Sequence, residues 1–445
     1  MTHQTTNHTN QPIELVLDID LVWSGHPVNF CLLTTKYQQY VAYYDQYRQM
    51  TVAQRAIGDQ AWDFYKVPSA QDSPPGYRAA DSSTILGWDS HNYVSMAMDA
   101  SGYIHLSGNM HCNGLTYFRS TYPYDITTLA QVFAMTGENE AECTYPQFLF
   151  NKEGTLIFHY RDGSSGNGSE IYNIYDTDIK TWRRLLDTPL TDGQGLMNAY
   201  MHEPLLGPDG LFHMSWVWRD TPDCSTNHDL SYACSHDFIH WKTAAGVPIT
   251  LPMMLHTNGL IVDPVPAQGG IINGTGKIGF DTQQRPILVY HKFDEQGITQ
   301  AYAARFEAGN WAIYQLSDWT YRWYFEGGGS IQNDVYLGAV ERNAEGALTV
   351  WYNHKEEGMG IWTLNEETLQ PVTTTPIDSL WPKQLTQVEA DFPNMQVNFL
   401  ADSATKYAGE ETGYFLRWET LVRNRDRPRT GSLPEPSMLR LYKLV

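Results

Sequence analysis

The chain has few cysteines and few basic residues. Five cysteines among 445 residues cannot all pair and lack the density of a disulfide scaffold, so they leave the redox compartment open. The 29 lysines and arginines stand against 50 acidic residues, which gives a formal net charge of −21. Nucleic-acid binding usually needs a basic footprint. The charge balance therefore argues against nucleic acid as a partner.

Long apolar runs and familiar catalytic signatures are also missing. No stretch approaches the roughly 20 apolar residues of a membrane-spanning helix, so we expect a soluble protein without a membrane partner. Neither Gly-x-Ser-x-Gly nor His-Glu-x-x-His occurs, which leaves serine-hydrolase and zincin chemistry without support. Residues 1–12 are polar and lack the regions of a signal peptide. We expect a tail there, disordered or introduced by cloning, before one catalytic domain over residues 13–445.

Tyrosine, tryptophan and glycine are abundant, and they occur in short segments of alternating polarity. This alternation predicts β-hairpins with turns at residues 99–102, 151–154, 208–210, 281–285 and 343–346. Spacings of roughly 50 to 75 residues suit four-stranded blades. With one blade before these hairpins and one after them, we predict an all-β, seven-bladed β-propeller in a single domain. The hairpins fit a β-sandwich less well, and their unequal spacing disfavours a parallel β-helix.

One predicted hairpin, in the segment 87–119, carries two histidines at the same end. If Met98 pairs with Tyr103 across the turn, His91 lies opposite Met110, next to His111. Register fixes which residues share an end and a face of the hairpin. The two imidazoles are therefore predicted to face one space.

Two later hairpins place polar groups at equivalent positions. One has Tyr145 at its entry and Arg161 at its exit, and the next has Tyr200 at its entry and Arg219 at its exit. Counted from the turn glycine, Arg161 is seven residues on, while His111 and Arg219 are nine on. Odd offsets fall on one face of a strand. We predict that these groups collect on one rim of the propeller.

Six segments between about Val22 and Gly329 resemble the BNR-4 repeat proteins and, within them, the seven-bladed ulvan lyases. They are VWSGHPVNF, RQMTVAQR, GWDSHNYVSMAMDASGYIHLSGNMHCNGLTYFR, YRDGSSGNG, SWVWRDTPDCSTNHDLSYACS and WTYRWYFEGGGS. The resemblance implies an endo-acting polysaccharide lyase that needs no cofactor for catalysis. Its substrate is expected to be an acidic sulfated glycan such as ulvan, cleaved by β-elimination at C4 of a uronic acid to leave an unsaturated uronate end. We further expect a monomer that is secreted or periplasmic.

The family pattern implies a catalytic set of His91, His111, Tyr145 and Arg161. β-Elimination requires a partner for the uronate carboxylate, a base for the C5 proton and an acid for the leaving oxygen. We assign charge neutralisation to Arg161, a permanent cation that can bind a carboxylate bidentately, together with His111. Proton transfer is assigned to His91 and to Tyr145, whose pKa Arg161 is expected to lower; which is acid and which base stays open. The structural alternatives are a surface ion pair for Arg161, a rim histidine bound to Asp89, and core packing for Tyr145.

Weaker predictions concern substrate contacts and a metal. Polar residues at predicted strand ends or in loops, where sugar contacts are expected, are Arg219, Asn92, Asn109, Asn113, His228 and Arg322. A structural zinc site is predicted from Cys224, Cys234 and His236, because thiolate and imidazole suit zinc. His213 is a further candidate ligand, and free buried cysteines are the alternative.

Three other functions remain open. The chain could be a lyase for another rhamnose- or uronate-containing glycan, a sialidase-like glycoside hydrolase, or a noncatalytic glycan-binding propeller. A sialidase needs a cluster of arginines, a nucleophilic tyrosine and acidic partners, and the predicted rim does not show that set clearly. Only elimination creates a conjugated uronate double bond, whose ultraviolet absorbance separates a lyase from the other two classes.

Overall fold

The computed structural model describes residues 8–9, 11–68, 84–403 and 412–444. These residues form 32 β-strands and three single-turn 3-10 helices, and no helix among them has the length and apolar character that a membrane crossing requires. Most of the predicted tail, residues 1–7 and 10, lies outside the described residues. Near its end, the backbone N–H of His8 donates to the carbonyl of Leu380 at 2.7 Å.

The strands of the described chain form seven antiparallel sheets that follow one another along the sequence. This confirms the all-β, seven-bladed prediction. The first strand and the first blade comprise β1 (Ile13–Val22), β2 (Cys31–Thr34), β3 (Gln38–Tyr44), β4 (Met50–Ala56) and β5 (Asp63–Lys66). The second blade region comprises β6 (Val94–Met98), β7 (Ile104–Gly108), β8 (His111–Asn113), β9 (Tyr117–Ser120), a 3-10 helix (Ile126–Thr128) and β10 (Leu129–Gln131).

The middle of the chain supplies blades three to five. Blade three contains β11 (Cys143–Phe150), β12 (Leu156–Ser164), β13 (Asn167–Asp176) and β14 (Thr181–Arg184). Blade four contains β15 (Asn198–Met201), β16 (Leu205–Leu206), β17 (Phe212–Arg219), a 3-10 helix (Cys224–Thr226), β18 (Asn227–Ser235), β19 (Trp241–Lys242) and β20 (Ile261–Asp263). Blade five contains β21 (Lys277–Phe280), β22 (Pro286–Phe293), β23 (Thr299–Glu307) and β24 (Asn310–Gln315).

The last two blades close the ring. Blade six contains β25 (Val335–Leu337), β26 (Glu341–Arg342), β27 (Leu348–His354), β28 (Gly358–Leu364) and β29 (Pro371–Pro376). After a 3-10 helix (Lys383–Leu385), blade seven contains β30 (Met395–Ala401), β31 (Tyr414–Leu421) and β32 (Ser437–Leu444). β1 completes blade seven by pairing with β32, from Ile13 opposite Leu444 to Val22 opposite Ser437. The N-terminal strand therefore joins the two ends of the chain.

Neighbouring blades pack face to face, which explains why whole strands are buried. β2 contacts β6 and β30, β6 contacts β11, β13 contacts β15, β17 contacts β21, and β22 contacts β25. Each sheet is too small to bury its faces alone, so stacking supplies the missing core. In β3, the run from Tyr40 to Tyr44 is fully buried, because both faces of that strand are covered.

The hairpin with the two histidines has a register one residue away from the predicted one. Met98 pairs with Ile104, and the N–H of Asp99 donates to the carbonyl of Tyr103 at 3.0 Å. Gly102, at φ +84°, is the additional left-handed residue of a three-residue hairpin loop. Continuing this register beyond the strands places His91 opposite His111 instead of Met110.

The other predicted hairpin turns are also confirmed. The same backbone bond, from residue i to the carbonyl of residue i+4, closes the turns that begin at Asn151, Gly207, Asp281 and Asn343. Each of these turns leads directly into a strand of its blade: β7, β12, β17, β22 or β27. They lie at the end of their hairpins away from His91, so the loops at the other end are available for a site.

Candidate active site

Two histidines and one carboxylate form the centre of the site. His91 lies just before β6 and His111 begins β8, and their ring centroids are 4.3 Å apart. The carboxylate of Asp89 lies between them, with Oδ1 2.7 Å from His91 Nδ1 and Oδ2 2.5 Å from His111 Nδ1. Asp89 thus accepts a hydrogen bond from both imidazoles and fixes their mutual orientation.

The electrostatics of this group favour an ionised carboxylate between the rings. Burial disfavours the charge on Asp89, but hydrogen bonds from His111 and His91 outweigh it and hold the pKa of Asp89 well below its usual range. Burial lowers the pKa of the His111 imidazole, although Asp89 opposes the change. A carboxylate at Nδ1 selects the tautomer with the proton on that atom. Nε2 of a neutral ring is then free to accept a proton.

The same three residues are the group within the described chain that could hold a metal ion. Their candidate ligand atoms all lie within 4.8 Å of one another. Imidazole and carboxylate are common zinc ligands. Both Nδ1 atoms, however, already face Asp89 oxygens, so a metal at these atoms would replace the hydrogen bonds.

Tyr145 reaches the histidines because the strand that carries it is irregular. The pairing of β11 with β12 shifts between Thr144 and Gln147, and Tyr145 has φ +60°, which is uncommon for a bulky residue and often marks a functional site. β8 follows β7 along the chain but joins the sheet of blade three, where it pairs with β11 and places His111 opposite Thr144. The Tyr145 ring centroid consequently lies 5.9 Å from that of His91 and 6.4 Å from that of His111.

Arg161 lies beneath this group as a buried cation. It pairs with Thr144 in register, and its Nη2 donates to Thr144 Oγ1 at 3.1 Å. The guanidinium carbon is 5.0 Å from the ring centroid of Tyr145 and 5.7 Å from that of Tyr200. Although Arg161 is fully buried, its Nε and Nη1 have no hydrogen-bond partner among the described residues. A buried charge without a counterion is unfavourable, so this position is prepared for an anion.

Arg161 lowers the pKa of Tyr145 as predicted, but other effects on this pKa are larger. Burial and the neighbouring Tyr200 raise the pKa of Tyr145, while Arg161 and Arg219 lower it by less, so the net pKa lies above the usual value for tyrosine. The phenol is therefore protonated at neutral pH. This state suits a proton donor better than a base.

Arg219 lies on the other side of Tyr200, at the end of β17. Its guanidinium carbon is 5.1 Å from the Tyr200 ring centroid, and the Tyr200 hydroxyl forms a 2.5 Å hydrogen bond with Ser165. Nε of Arg219 donates to the carbonyl of Thr221 at 2.9 Å and Nη2 to the carbonyl of Pro222. Arg219 thus belongs to the same aromatic and cationic group, but carbonyl oxygens already occupy part of its donor set.

The three predicted asparagines support the loops around the histidines. Asn113 Oδ1 accepts the backbone N–H of His111 at 3.1 Å, and Asn109 Nδ2 donates to the carbonyl of Ile85 at 3.1 Å. The backbone carbonyl of Asn92 accepts a tyrosine hydroxyl at 2.6 Å. All three asparagines lie near the histidine pair in sequence and in space, and their hydrogen bonds hold the backbone of the loops that carry the histidines.

The two other predicted substrate contacts have protein partners. His228 lies 2.8 Å from Asp229 and 3.0 Å from Asp220; burial lowers its pKa, but these carboxylates outweigh burial and raise it overall. Arg322 is exposed and donates to the carbonyl of Gly297 at 2.8 Å. Within the described part of the chain, neither side chain contacts the histidine pair.

The predicted zinc ligands lie apart. Cys224 is in the 3-10 helix before β18, whereas Cys234 lies near the far end of that strand, and the two pack in different core clusters. A strand advances about 3.3 Å per residue, so it carries them away from each other. His236 is exposed, and His213 is opposite Cys234. In the described chain these residues do not form a group of metal ligands.

Two acidic residues outside the predicted catalytic set contribute to the site. Asp89 is two residues before His91, where the sequence offered it only as the partner of a structural rim histidine. Asp426 Oδ2 lies 3.4 Å from His91 Nδ1, yet it is far away in the sequence. Its position as the one acid within a run of arginines, RNRDRPR, was its visible feature.

The fold and the site define a class: a β-propeller with a histidine, tyrosine and arginine group on one rim. Residues 38–319, well over half of the chain, match the family described as "BNR repeat-containing family member". The chain belongs to this family, which confirms the resemblance found in the sequence.

Curated relatives and solved structures point in the same direction. The chain is 40% identical over 134 residues to "Ulvan lyase, long isoform" of Pseudoalteromonas sp. (strain PLSV) and 38% identical over 149 residues to the same-named protein of Glaciecola sp. (strain KUL10). These alignments cover 27% and 29% of this chain but span only 13% and 14% of the relatives' lengths.

Two solved structures share the fold over nearly the whole chain. "Polysaccharide lyase Uly1" has a TM-score of 0.59 at 14% identity and covers 97% of this chain and 99% of its own. A PL25 ulvan lyase bound to -[GlcA(1-4)Rha3S]- has a TM-score of 0.57 at 13% identity and covers 96% and 94%. At this level of identity, the comparison supports the fold.

Proposed function

We propose that the protein is a polysaccharide lyase that cleaves ulvan by β-elimination at a uronic acid. One observation carries the proposal: Arg161, a fully buried cation with two unpaired donors, lies under Tyr145, next to the histidine pair. This arrangement offers positive charge, a proton acceptor and a proton donor within one group. The names of the curated relatives and the glycan bound to one structural neighbour agree with it.

The proton acceptor is His91. Asp89 accepts the Nδ1 hydrogen, so Nε2 can take the proton from C5 of the uronate. The electrons of that bond form the C4–C5 double bond, and the bond from C4 to the glycosidic oxygen breaks. The oxygen leaves with the electron pair of that bond and takes a proton.

Tyr145 is the donor of that proton. Its pKa is raised above the usual value by burial, so it holds the proton over the whole neutral range. The transfer leaves a phenolate 5.0 Å from the Arg161 guanidinium, measured from the ring centroid, where the cation stabilises it. His91 has gained one proton and Tyr145 has lost one, and exchange with water restores both. The elimination consumes neither water nor a redox cofactor.

Arg161 and His111 neutralise the uronate carboxylate, which makes C5 more acidic. Arg161 acts from beneath the tyrosines, and its unpaired Nε and Nη1 can bond a carboxylate that enters between their rings. An anion beside His111 favours protonation of that imidazole, and Asp89 stabilises the cation through Nδ1. Preorganised charges of this kind are often the largest single contribution to catalysis. A polymeric substrate also fits the expected secreted or periplasmic location.

The test is incubation of the protein with ulvan and other uronate polysaccharides while ultraviolet absorbance and reducing ends are followed. We expect both to rise together on ulvan. Reducing ends without absorbance would indicate a hydrolase. If neither signal rose, the protein would be a noncatalytic binding module. If the absorbance rose only with a different uronate glycan, that glycan and not ulvan would be the substrate.

A matched pair of variants tests the site. Tyr145→Phe should lower kcat on the order of 10²-fold or more, the usual range for loss of a general acid. Tyr200→Phe is the control because the Tyr200 ring also lies against Arg161, 5.7 Å from the guanidinium carbon, and this variant should keep most of the activity. Equal losses would remove Tyr145 from its assigned role.

A further inference from the structure

A short loop between β31 and β32 concentrates positive charge in an otherwise acidic protein. Residues 423–429, here the arginine loop, contain four of the 29 basic residues of the chain: Arg423, Arg425, Arg427 and Arg429. The first three of these are exposed. With a net charge of −21 for the whole chain, such a run produces a local potential opposite to that of the surrounding surface.

The conformation of the arginine loop is fixed by one carboxylate. Arg425 and Asp426 are both left-handed, with φ +51° and +57°, which non-glycine residues adopt only when other contacts hold them. Asp426 Oδ1 accepts from the N–H and the hydroxyl of Ser90 at 3.0 and 2.7 Å. Its Oδ2 accepts from the N–H of Ser330 at 2.6 Å. The loop is therefore a built feature of the rim.

The arginine loop adjoins the candidate active site. Asp426 Oδ2 is 3.4 Å from His91 Nδ1, so the anchor of the loop also touches the proposed base. On its other side, Arg425 Nη1 donates to the carbonyl of Glu326 at 2.9 Å. The next residue, Gly327, donates to Asp223 Oδ1 at 2.7 Å, in the loop that follows Arg219. These contacts connect the loop to both sides of the site.

Three of the four guanidinium groups donate to backbone carbonyls. Arg423 donates to the carbonyl of Ile331 at 3.4 Å, Arg425 to that of Glu326 at 2.9 Å, and Arg429 to that of Gly25 at 3.1 Å. Within the described part of the chain, none of the four forms an ion pair with a carboxylate. Guanidinium binds sulfate and carboxylate in a planar, two-point geometry. The positive charge of the loop is therefore available to an anionic ligand.

We propose that the arginine loop is a second subsite, which binds the sulfate or carboxylate groups of an acidic polysaccharide where the chain passes beyond His91. The inference rests on the proposed function for the orientation of that polysaccharide. Positive charge then acts on both sides of the reacting sugar, from Arg161 and Arg219 on one side and from the loop on the other. Such a subsite holds a polymer more firmly than a short oligosaccharide, because only the polymer reaches it.

The variant that tests the subsite is Arg423→Gln with Arg427→Gln. It leaves Arg425 and Arg429, which bond carbonyls that hold the loop. The control is Arg183→Gln with Arg342→Gln, which makes the same change in charge at exposed positions in β14 and β26. Binding of ulvan, desulfated ulvan and carboxyl-reduced ulvan is measured by calorimetry on intact protein carrying Tyr145→Phe, so that no substrate is consumed.

We expect the loop variant to raise the Kd for ulvan about tenfold at low ionic strength, with the gap closing as salt is added. The control should bind like its parent. The modified ulvans identify the group that the loop binds. If the loop variant and its parent bind desulfated ulvan equally, the loop binds sulfate; if they bind carboxyl-reduced ulvan equally, it binds carboxylate. Equal binding by the loop variant and its parent, or equal weakening in loop variant and control, would overturn the subsite.

A single-stranded DNA oligonucleotide serves as a competitor of a different class. If it binds as tightly as ulvan and the loop variant loses that binding too, the loop is a general anion site and the polysaccharide proposal fails. The binding measurement does not need turnover. If the loop variant binds ulvan more weakly but the parent protein makes no unsaturated product, the lyase proposal fails and the subsite is supported. If the parent protein makes the product but the loop variant binds ulvan as tightly as its parent, the subsite fails and the lyase proposal is supported.

Discussion

Asp89 bridges two imidazoles and thereby gives both of them the same tautomer. A carboxylate can accept from both Nδ1 atoms, at 2.7 and 2.5 Å here, whereas an amide has one acceptor and one donor end. Asp89→Asn should therefore reverse the tautomer of one histidine. We expect kcat to fall on the order of 10²-fold or more, as happens when a tautomer-fixing carboxylate is replaced by its amide, with little change in KM.

The measurement is the initial rate of unsaturated product on ulvan. Asp220→Asn, next to His228, is the matched control and should keep its activity. Because the pKa of Asp89 is held below its usual value, its charge contributes stability above about pH 4 and that contribution is lost as the pH falls further. The difference in Tm between the parent and Asp89→Asn should therefore shrink in acid. Full activity of Asp89→Asn would show that the bridge does not position the base.

Arg161 should weaken the fold while it supports the function. It is fully buried, and two of its nitrogens have no partner among the described residues. Replacing a poorly compensated buried charge by an apolar side chain of similar size is often neutral or stabilising. Arg161→Met should therefore keep or raise the Tm while it lowers kcat on the order of 10²-fold or more.

Arg219→Met is the comparison for Arg161→Met. Arg219 already bonds two carbonyls, so its loss should reduce activity less and stability more. Thermal unfolding and initial rates on ulvan decide between these outcomes. A large fall in Tm for Arg161→Met would mean that the buried cation is structural.

At the scale of single elements, the hairpins show how far local sequence determines structure. Apolar alternation and the Asp/Gly clusters located the turns. The register of the histidine hairpin was nevertheless wrong by one residue, because Gly102 adds a left-handed residue that alternation does not count. The shift makes the two histidines face each other directly.

The β12–β13 turn gives an element-scale prediction. Gly166, at φ +80°, faces the next blade so closely that an added Cβ would lie 2.5 Å from the carbonyl oxygen of Asp220. Gly154 has a similar φ of +77°, but an added Cβ there meets nothing within 4 Å. Gly154→Ala should cost about 1–2 kcal/mol of unfolding free energy from backbone strain alone, and Gly166→Ala should cost clearly more.

Gly166→Ala should also lower activity, because the backbone it displaces directly follows Arg219. Denaturant unfolding measures the stability of both variants, and initial rates measure the second effect. Gly154→Ala serves as the control, since its turn lies at the other end of the hairpin. Equal losses of stability in the two variants would show that blades three and four move apart at Gly166 without a measurable free-energy cost.

At the scale of the whole molecule, the ring depends on β1. This strand pairs with the edge of β32 from Ile13 to Val22, and without it the backbone groups along that edge of β32 would be unpaired. A chain that lacks residues 13–22 should lose on the order of 5 kcal/mol or more, a large part of the stability of a typical domain. We expect lower-temperature, less cooperative unfolding.

A synthetic peptide of residues 13–22 provides the control for that deletion. It should restore part of the lost Tm when added in excess, because binding to the folded state alone shifts unfolding by mass action, whereas a peptide of the same composition in scrambled order should not. Calorimetry follows both. A deleted chain that unfolds like the parent would show that blade seven closes the ring without β1.

The sequence by itself determined the strands, their turns and the seven-bladed ring, because alternation and turn chemistry act between near neighbours. It also brought His91 to His111 and Tyr145 to Arg161, since each pair belongs to one hairpin or to strands that pair directly. Long-range packing decided the rest. It buried Arg161, and it placed Tyr145 beside Tyr200, where burial raises the pKa of Tyr145 and keeps the phenol protonated. It also brought Asp426 from a distant loop to His91 and placed Cys224 and Cys234 near opposite ends of an extended strand. Burial and contacts between blades depend on the closed ring, so they cannot be predicted from the pattern of residues within one segment of the sequence.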